Sequence, residues 1–280
     1  MDFAYYNGDY LPLADHCFPI TDRAAFFGDG VYDAMLGKKN TIHLEKEHLD
    51  RFIGNLDALR LSVSESREEI SQILHLLQSR IENEYAFLYL QASRIRAERV
   101  HSSYGYEKAN LFAYAKALSL PDCEKRISLV SYPDERYGLC HIKTVNLLPN
   151  VLAASYAEQK GADEAVFVDG DIVRECSHSN ISIVVGSTLI THPLDRHILP
   201  GIMRAQLLCE AEAAGMEILL QPFTLSQMFA ADGVLVTSTT KRCVLASMLD
   251  SFPLKTPSRE AKMLWERVNS SFFSSMEKSV

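Results

Sequence analysis

Four short polar segments in the second half of the chain, each closing an apolar run, constrain it most. They are Lys143 in His141-Ile142-Lys143-Thr144-Val145-Asn146-Leu147-Leu148, Glu175 in Glu175-Cys176-Ser177-His178-Ser179-Asn180, the turn Leu199-Pro200-Gly201-Ile202-Met203-Arg204, and the run Thr237-Ser238-Thr239-Thr240. A side chain at the edge of an apolar element is held rigidly and still reaches a cleft.

The 280 residues suffice for two modest domains or one large one, and at 47 % hydrophobic and 23 % charged they have an ordinary globular profile. A net charge of -8 argues against general affinity for nucleic acid or an anionic membrane. No apolar run is long enough to span a bilayer, and Met1-Asp2-Phe3-Ala4-Tyr5-Tyr6-Asn7 lacks the basic flank and apolar core of a signal peptide. Cys17, Cys123, Cys140, Cys176, Cys209 and Cys243 are scattered without a C-x-x-C pair, which reads as reduced thiols in a cytoplasmic protein. His192 and His197 lie five apart across a Pro193-Leu194 turn without a recognised ligand spacing; they read as loop histidines, and no metal site is expected.

Residues 3–12 read as a hairpin turning at Asn7-Gly8, and 30–36 as a strand. The apolar spacing Leu44, Leu49, Phe52, Ile53, Leu56, Leu59 predicts a helix over 43–61. A second helix spans 66–81, with residues 64–69 as its cap region. Strands follow at 85–93 and 109–115. Leu118-Ser119-Leu120-Pro121-Asp122 breaks both periodicities and marks a linker, so 1–117 forms a small N-terminal α/β domain and 123–280 a larger C-terminal one. In the second half, 126–131, 164–168, 181–185 and 233–237 read as strands. Residues 148–160, 201–214 and 258–272 read as helices, Pro149 being tolerated in a first turn. The mixture gives an α+β (mixed α/β) fold class.

Lys143, after Ile142 in an expected strand and before an apolar helix start, is partly desolvated there, which favours a nucleophilic amine; taken alone it reads as a surface lysine. Glu175 ends the strand Ile172-Val173-Arg174 and can bond a protonated ring nitrogen; alone it reads as a solvated turn acid. Gly201-Ile202 opens a helix whose free amides suit a phosphate. Ser238 and Thr239 add hydroxyls and amides after a β-run. An amine for a Schiff base, a carboxylate for a pyridinium nitrogen and donors for a phosphate are together what pyridoxal 5′-phosphate requires.

The chain resembles the fold-type IV (class IV) pyridoxal-phosphate enzymes, which include D-amino-acid aminotransferases, branched-chain aminotransferases and 4-amino-4-deoxychorismate lyases. The resemblance rests on Glu175, Ser177, Asn180, Thr191, Leu199, Gly201, Ile202 and Arg204. It also rests on Asp22-Arg23-Ala24 followed by Phe27-Gly28-Asp29-Gly30-Val31-Tyr32, and on Glu47-His48-Leu49-Asp50-Arg51. It implies a two-domain fold with the cofactor held at the interdomain cleft. It also implies Lys143 as the catalytic lysine and Arg51, Glu175, Ser177, Gly201, Ile202, Met203, Ser238 and Thr239 as cofactor contacts. Three positions depart from the pattern: Ser182 stands where an aromatic is usual, Met203 replaces a hydroxyl residue, and His178 replaces a small one.

Ser93-Arg94-Ile95-Arg96-Ala97-Glu98-Arg99-Val100-His101 is similar to the D-amino-acid aminotransferase segment ending in Arg-x-His, which traps the substrate α-carboxylate. The resemblance implies that Arg99 and His101 reach the active site of the partner in a homodimer and act there with Tyr32. Guanidinium, imidazole and phenol can together hold one carboxylate. Arg136-Tyr137 resembles an Arg-aromatic pair of the same subfamily and makes Arg136 a further substrate contact. The expected reaction is ping-pong transamination between a D-amino acid and a 2-oxo acid. A 4-amino-4-deoxychorismate lyase releasing pyruvate and p-aminobenzoate, a branched-chain L-amino-acid aminotransferase, and a catalytically silent relative are the alternatives.

Overall fold

The computed structural model describes residues 3–95 and 98–277. Met1, Asp2 and residues 278–280 lie outside the described residues, as do Arg96 and Ala97 within the basic segment 93–101. The described residues form two sheets and seven α-helices in a mixed α+β arrangement. The chain divides into two compact units: Met1–Leu120 with Ile142–Leu147 and Ser275–Val280, and Pro121–His141 with Leu148–Ser274. This differs from a single cut at 118–122, because the short segment carrying Lys143 groups with the first unit.

In the first unit six antiparallel strands run in the order β2-β1-β6-β5-β3-β4. They are β1 (Phe3–Tyr6), β2 (Asp9–Pro12), β3 (Gly30–Lys38), β4 (Thr41–Ile42), β5 (Tyr85–Arg94) and β6 (Ala109–Leu118). The β1–β2 hairpin turns at Asn7 and Gly8, both at positive φ (47° and 100°), as a two-residue turn matched to strand twist requires. Helix α1 (Arg23–Phe27) precedes β3, and α2 (Glu45–Leu59) and α3 (Arg67–Ser79) lie between β4 and β5. Ser66 and Glu69 close a capping box at the start of α3. Leu49, Phe52 and Leu56 of α2 and Ile70, Leu74 and Leu77 of α3 share one core with Val31, Met35, Leu88 and Leu90 of the sheet. The helical and the two-residue periodicities thus bury the same core.

In the second unit the strand order is β12-β11-β10-β14-β15-β7-β8-β9-β13, with β16 paired to β15. The members are β7 (Ile127–Pro133), β8 (Glu164–Asp169), β9 (Ile172–Cys176), β10 (Asn180–Val185), β11 (Thr188–Thr191), β12 (Glu217–Leu220), β13 (Phe223–Thr224), β14 (Gly233–Ser238), β15 (Arg242–Leu249) and β16 (Phe252–Pro253). The pairs β15–β7, β7–β8 and β11–β12 are parallel, so the chain crosses between strands through helices. Those helices include α4 (Leu148–Gln159), with Pro149 in its first turn, and α5 (Ile202–Ala213); the short α6 (Leu225–Ala230) and the long α7 (Arg259–Glu277) complete the set. Leu207 and Ala211 of α5 and Ala261, Leu264 and Val268 of α7 bury a core against Val184, Leu235 and Leu245. No helix among the described residues is long and apolar enough to cross a membrane.

Leu74 is fully buried in the first unit's core. Leu74→Ala is expected to lower unfolding free energy by about 2–5 kcal/mol, read as a lower urea midpoint at unchanged slope.

Candidate active site

Lys143 lies in irregular chain rather than at a strand end. Main-chain bonds fix it: Tyr32 N–H donates to its carbonyl (2.9 Å), Val145 N–H donates to the Gly30 carbonyl (3.0 Å), and Thr144 bridges to Val31. The segment therefore behaves as a short extra partner of β3. The Lys143 Nζ stands 4.3 Å from the centre of the Tyr32 ring, and among the described residues it makes no hydrogen bond or ion pair. The Tyr32 ring in turn stacks on Tyr89 at 5.6 Å. Amine and phenol thus meet on one face of the sheet.

Asp33, the next residue on β3, points to the opposite face. It is fully buried and accepts from Arg51 Nε and Nη2 (both 2.8 Å) and pairs with His48 Nδ1 (2.7 Å). Burial opposes the charge, but Arg51 and His48 win and hold the Asp33 carboxyl far below the usual range. Arg51, expected at a phosphate, is thus oriented by a bidentate ion pair, a partner that the spacing Glu47-His48-Leu49-Asp50-Arg51 does not announce.

Arg99 and His101 are exposed. Both lie on the ring of Phe27, the Arg99 guanidinium at 5.2 Å from its centre and the His101 ring at 5.4 Å. The Val100 N–H donates to the Glu98 carbonyl (3.0 Å), so the chain turns at Arg99 where the two side chains meet one ring.

In the second unit Glu175 lies within β9, which continues to Cys176, and it is buried rather than solvated. Its carboxylate accepts from Asn180 Nδ2 (3.0 Å), from the Leu199 N–H (3.0 Å) and from Arg136. Burial pushes the Glu175 carboxyl up to about 7, against the pull of Arg136 and the Leu199 amide. Arg136 also donates to Asp134 through Nε (2.9 Å) and Nη2 (2.8 Å) and to the His197 carbonyl (2.9 Å). The expected substrate contact is therefore placed differently: its guanidinium is buried and spent on Glu175 and Asp134, because two carboxylates outside water demand a planar cation between them.

Asn180 also donates to the Leu199 carbonyl (3.0 Å), tying the Glu175 turn to the start of α5. A β-carbon built at Gly201 would overlap the Asn180 side-chain oxygen, so any side chain there must displace Asn180. No side chain caps α5, leaving its first amides available to an anion. Ile202 is half-buried, whereas the Met203 side chain lies in the core of the unit, so any ligand contact at 203 is through its main chain. Arg204 and Thr191 are structural: Arg204 donates to the Thr191 hydroxyl (3.3 Å) and the His192 carbonyl (2.8 Å). His192 lies in irregular chain just after β11, the loop position expected of it, and is buried there, accepting from Arg174 (2.7 Å).

Ser182, at the position usual for an aromatic, is buried on β10. Ser177 and His178 flank a second buried carboxylate, Glu164. It accepts from the His178 N–H (2.9 Å), from Ser179 Oγ (2.9 Å) and from Lys241. Lys241 Nζ also meets His178 Nε2 at 3.0 Å, and its own N–H donates to Ser238 Oγ (3.3 Å). His178 thus packs beside a lysine that braces the Ser238-Thr239 turn. Neither Glu164 nor Lys241 was marked by a motif; the one available signal was the pairing of a basic residue after the Thr237–Thr240 run with an acid opening a β-rich segment.

The family described as Amino-transferase class IV matches residues 30–247. A D-alanine aminotransferase from Staphylococcus aureus (strain N315) is 31 % identical over 257 residues, 91 % of each chain. Among solved structures, the branched-chain aminotransferase of Thermoproteus uzoniensis with norvaline is similar with a TM-score of 0.89 at 20 % identity, covering 99 % of this chain and 96 % of that one. A hypothetical aminotransferase from Mycobacterium tuberculosis in its PLP-bound form gives 0.83 at 19 %, covering 97 % and 99 %. The fold is that of the fold-type IV aminotransferases. The chain belongs to the class IV aminotransferases, enzymes that depend on pyridoxal 5′-phosphate.

The residues present fit that cofactor. Among the described residues, a lysine amine without a hydrogen bond or ion pair stands on an aromatic face, a buried carboxyl lies near neutrality, and a helix start without a side-chain cap opens at a glycine whose added β-carbon would meet Asn180.

Gly201→Ala is expected to displace Asn180 and cost about 1–3 kcal/mol in denaturant unfolding of the cofactor-free protein. The Glu175 carboxyl is raised in the folded state from an ordinary 4.5 to about 7, so between those values the folded chain keeps a proton that the unfolded chain has lost. Its contribution to stability therefore falls as pH rises through that window. The melting temperature of cofactor-free wild type, measured against Glu175→Gln, should decline from pH 5 to pH 7 and level off above.

Proposed function

We propose that this chain is a D-amino-acid transaminase that passes an amino group to a 2-oxo acid in a ping-pong cycle. The observation that carries this reading is the pair Arg99 and His101, side by side on Phe27, in a chain 31 % identical to a D-alanine aminotransferase. A guanidinium and an imidazole on one exposed loop suit a carboxylate.

Bound pyridoxal 5′-phosphate supplies an electron sink for the charge that develops at the substrate Cα. Lys143 would hold it through Nζ, and the Lys143 amine, when free, would take and carry the proton of the substrate Cα. Glu175, kept in place by Asn180, the Leu199 amide and Arg136, would bond the ring nitrogen. Arg51, the main-chain amides at Ile202 and Met203, and Ser238 and Thr239 would hold the phosphate, with Ser177 a further cofactor contact. Tyr32, Arg99 and His101 bind the α-carboxylate and so decide which face of Cα meets Lys143. The Arg99–His101 loop acts in the partner subunit of a homodimer. Six free cysteines suit a reducing cytoplasm.

The test is a single-turnover absorbance scan of cofactor-loaded protein mixed separately with D-alanine, L-leucine and 4-amino-4-deoxychorismate. Loss of the visible band with D-alanine alone, accompanied by pyruvate, is the expected result. Arg99→Ala should then lower kcat/KM for D-alanine about 100-fold. Conversion by L-leucine alone, or pyruvate from 4-amino-4-deoxychorismate with no net change in the cofactor, would overturn the reading.

A further inference from the structure

The segment Asp22-Arg23-Ala24…Phe27-Gly28-Asp29 has no part in the chemistry above, yet it converges on the loop that carries Arg99 and His101. Asp22 caps α1 by accepting from the Ala24 N–H (2.8 Å), and is itself pinned by Ser93 Oγ and Asn110 Nδ2 (both 2.8 Å). Arg23 follows, and its guanidinium is buried. It donates through Nη1 to the Val100 carbonyl (2.5 Å), through Nη2 to the His101 carbonyl (3.1 Å) and through Nε to Asp29 (2.7 Å). It also lies 4.6 Å from the centre of the Phe27 ring, the same ring that carries Arg99 and His101. Asp29 accepts in addition from Arg94 Nε (3.0 Å), and Arg94 donates to the carbonyls of Leu59 (2.6 Å) and Tyr106 (2.6 Å). An exposed, basic loop is thus gripped by its main chain from beneath.

Two guanidinium groups share the Asp29 carboxylate here, with the Asp22 carboxylate beside them. The fork geometry matters as much as the charge. Only a planar group with separate donors can hold two successive carbonyls and a carboxylate at once. Gly28 lets the chain turn back from α1 towards Asp29 at φ +64°, where a β-carbon would stand 2.7 Å from that of Asn146.

We infer that Arg23 is a positioning residue for substrate-carboxylate recognition, setting the placement of Arg99 and His101 through the Val100 and His101 carbonyls and the Phe27 ring. This rests on the reading of Arg99 and His101 as the carboxylate trap. Misplacing a substrate-orienting group by about 1 Å is costly, and the loss falls on substrates that use it.

The test compares holoenzymes of wild type, Arg23→Lys, Phe27→Leu and Arg99→Ala. Arg23→Lys keeps the charge beside Asp29 and loses the fork; Phe27→Leu keeps bulk and removes the ring, so one remains informative if the other does not fold. Both are expected to raise KM for D-alanine about 10-fold. In both, kcat should stay within about 3-fold and the cofactor dissociation constant, from absorbance titration, should be unchanged. The half-reaction with benzylamine, which has no carboxylate, should proceed at the wild-type rate. A general structural defect would slow benzylamine as well and weaken cofactor binding, and that result overturns the inference. So does an unchanged KM in Arg23→Lys and Phe27→Leu alongside a raised KM in Arg99→Ala. An unchanged KM in Arg99→Ala would instead bring down the carboxylate trap itself.

Discussion

A carboxylate taken out of water has to be surrounded by donors, and Glu175 draws its donors from three separate stretches of the second unit. Asn180 comes from the first residue of β10, the Leu199 amide from the turn before α5, and Arg136 from the chain after β7. Each is fixed in turn: Asn180 by the Leu199 carbonyl, Arg136 by Asp134 and the His197 carbonyl. Removing the acid would leave the Arg136 guanidinium to Asp134 and the His197 carbonyl and loosen the turn that starts the helix. A side chain at Gly201 would have to displace Asn180. The helix start and the acidic site are therefore one construction with two uses. A lone buried acid of this kind would be a liability to folding; surrounded in this way it becomes a fixed reference for the rest of the unit.

The same device recurs in two other clusters, one in each unit. Asp33 orients Arg51 and His48, and Glu164 gathers Lys241 and the turn through His178 and Ser179. In both a fully buried carboxylate is surrounded by side-chain or main-chain donors. Such clusters give up some stability relative to apolar packing and return a defined geometry. The class IV reaction asks for that geometry: a proton must move between neighbouring atoms while the carboxylate of the amino acid is held still.

Much of this was legible in the sequence, for identifiable reasons. The helices over α2 and α3 were readable because Leu49, Phe52, Leu56, Ile70, Leu74 and Leu77 recur at the helical period and bury one core. The hairpin at Asn7-Gly8 was readable because few residues tolerate both positive φ values. Glu175 and Gly201 stood out because polar turns end apolar runs. The environment of Arg136 did not, since its partner Glu175 is 39 residues away and nothing local distinguishes a buried ion pair from an exposed one. Lys143 was expected at a strand end, but its main chain is tied to β3, more than a hundred residues earlier, and no periodicity encodes a partner so distant. The brace between Lys241 and Glu164 was hidden for the same reason.

At the start of α5 the Met203 side chain is turned into the core, packed with Leu207 and Ala211, while the outward-facing groups of that turn are main-chain amides. The helix end therefore keeps its polarity whatever residue fills position 203. A hydroxyl there would add one donor; a thioether instead adds to the apolar seal behind the helix. The side chain at this position is thereby given over to packing, and it becomes a place where thermal resistance can be tuned by repacking without retuning the charge that the helix presents.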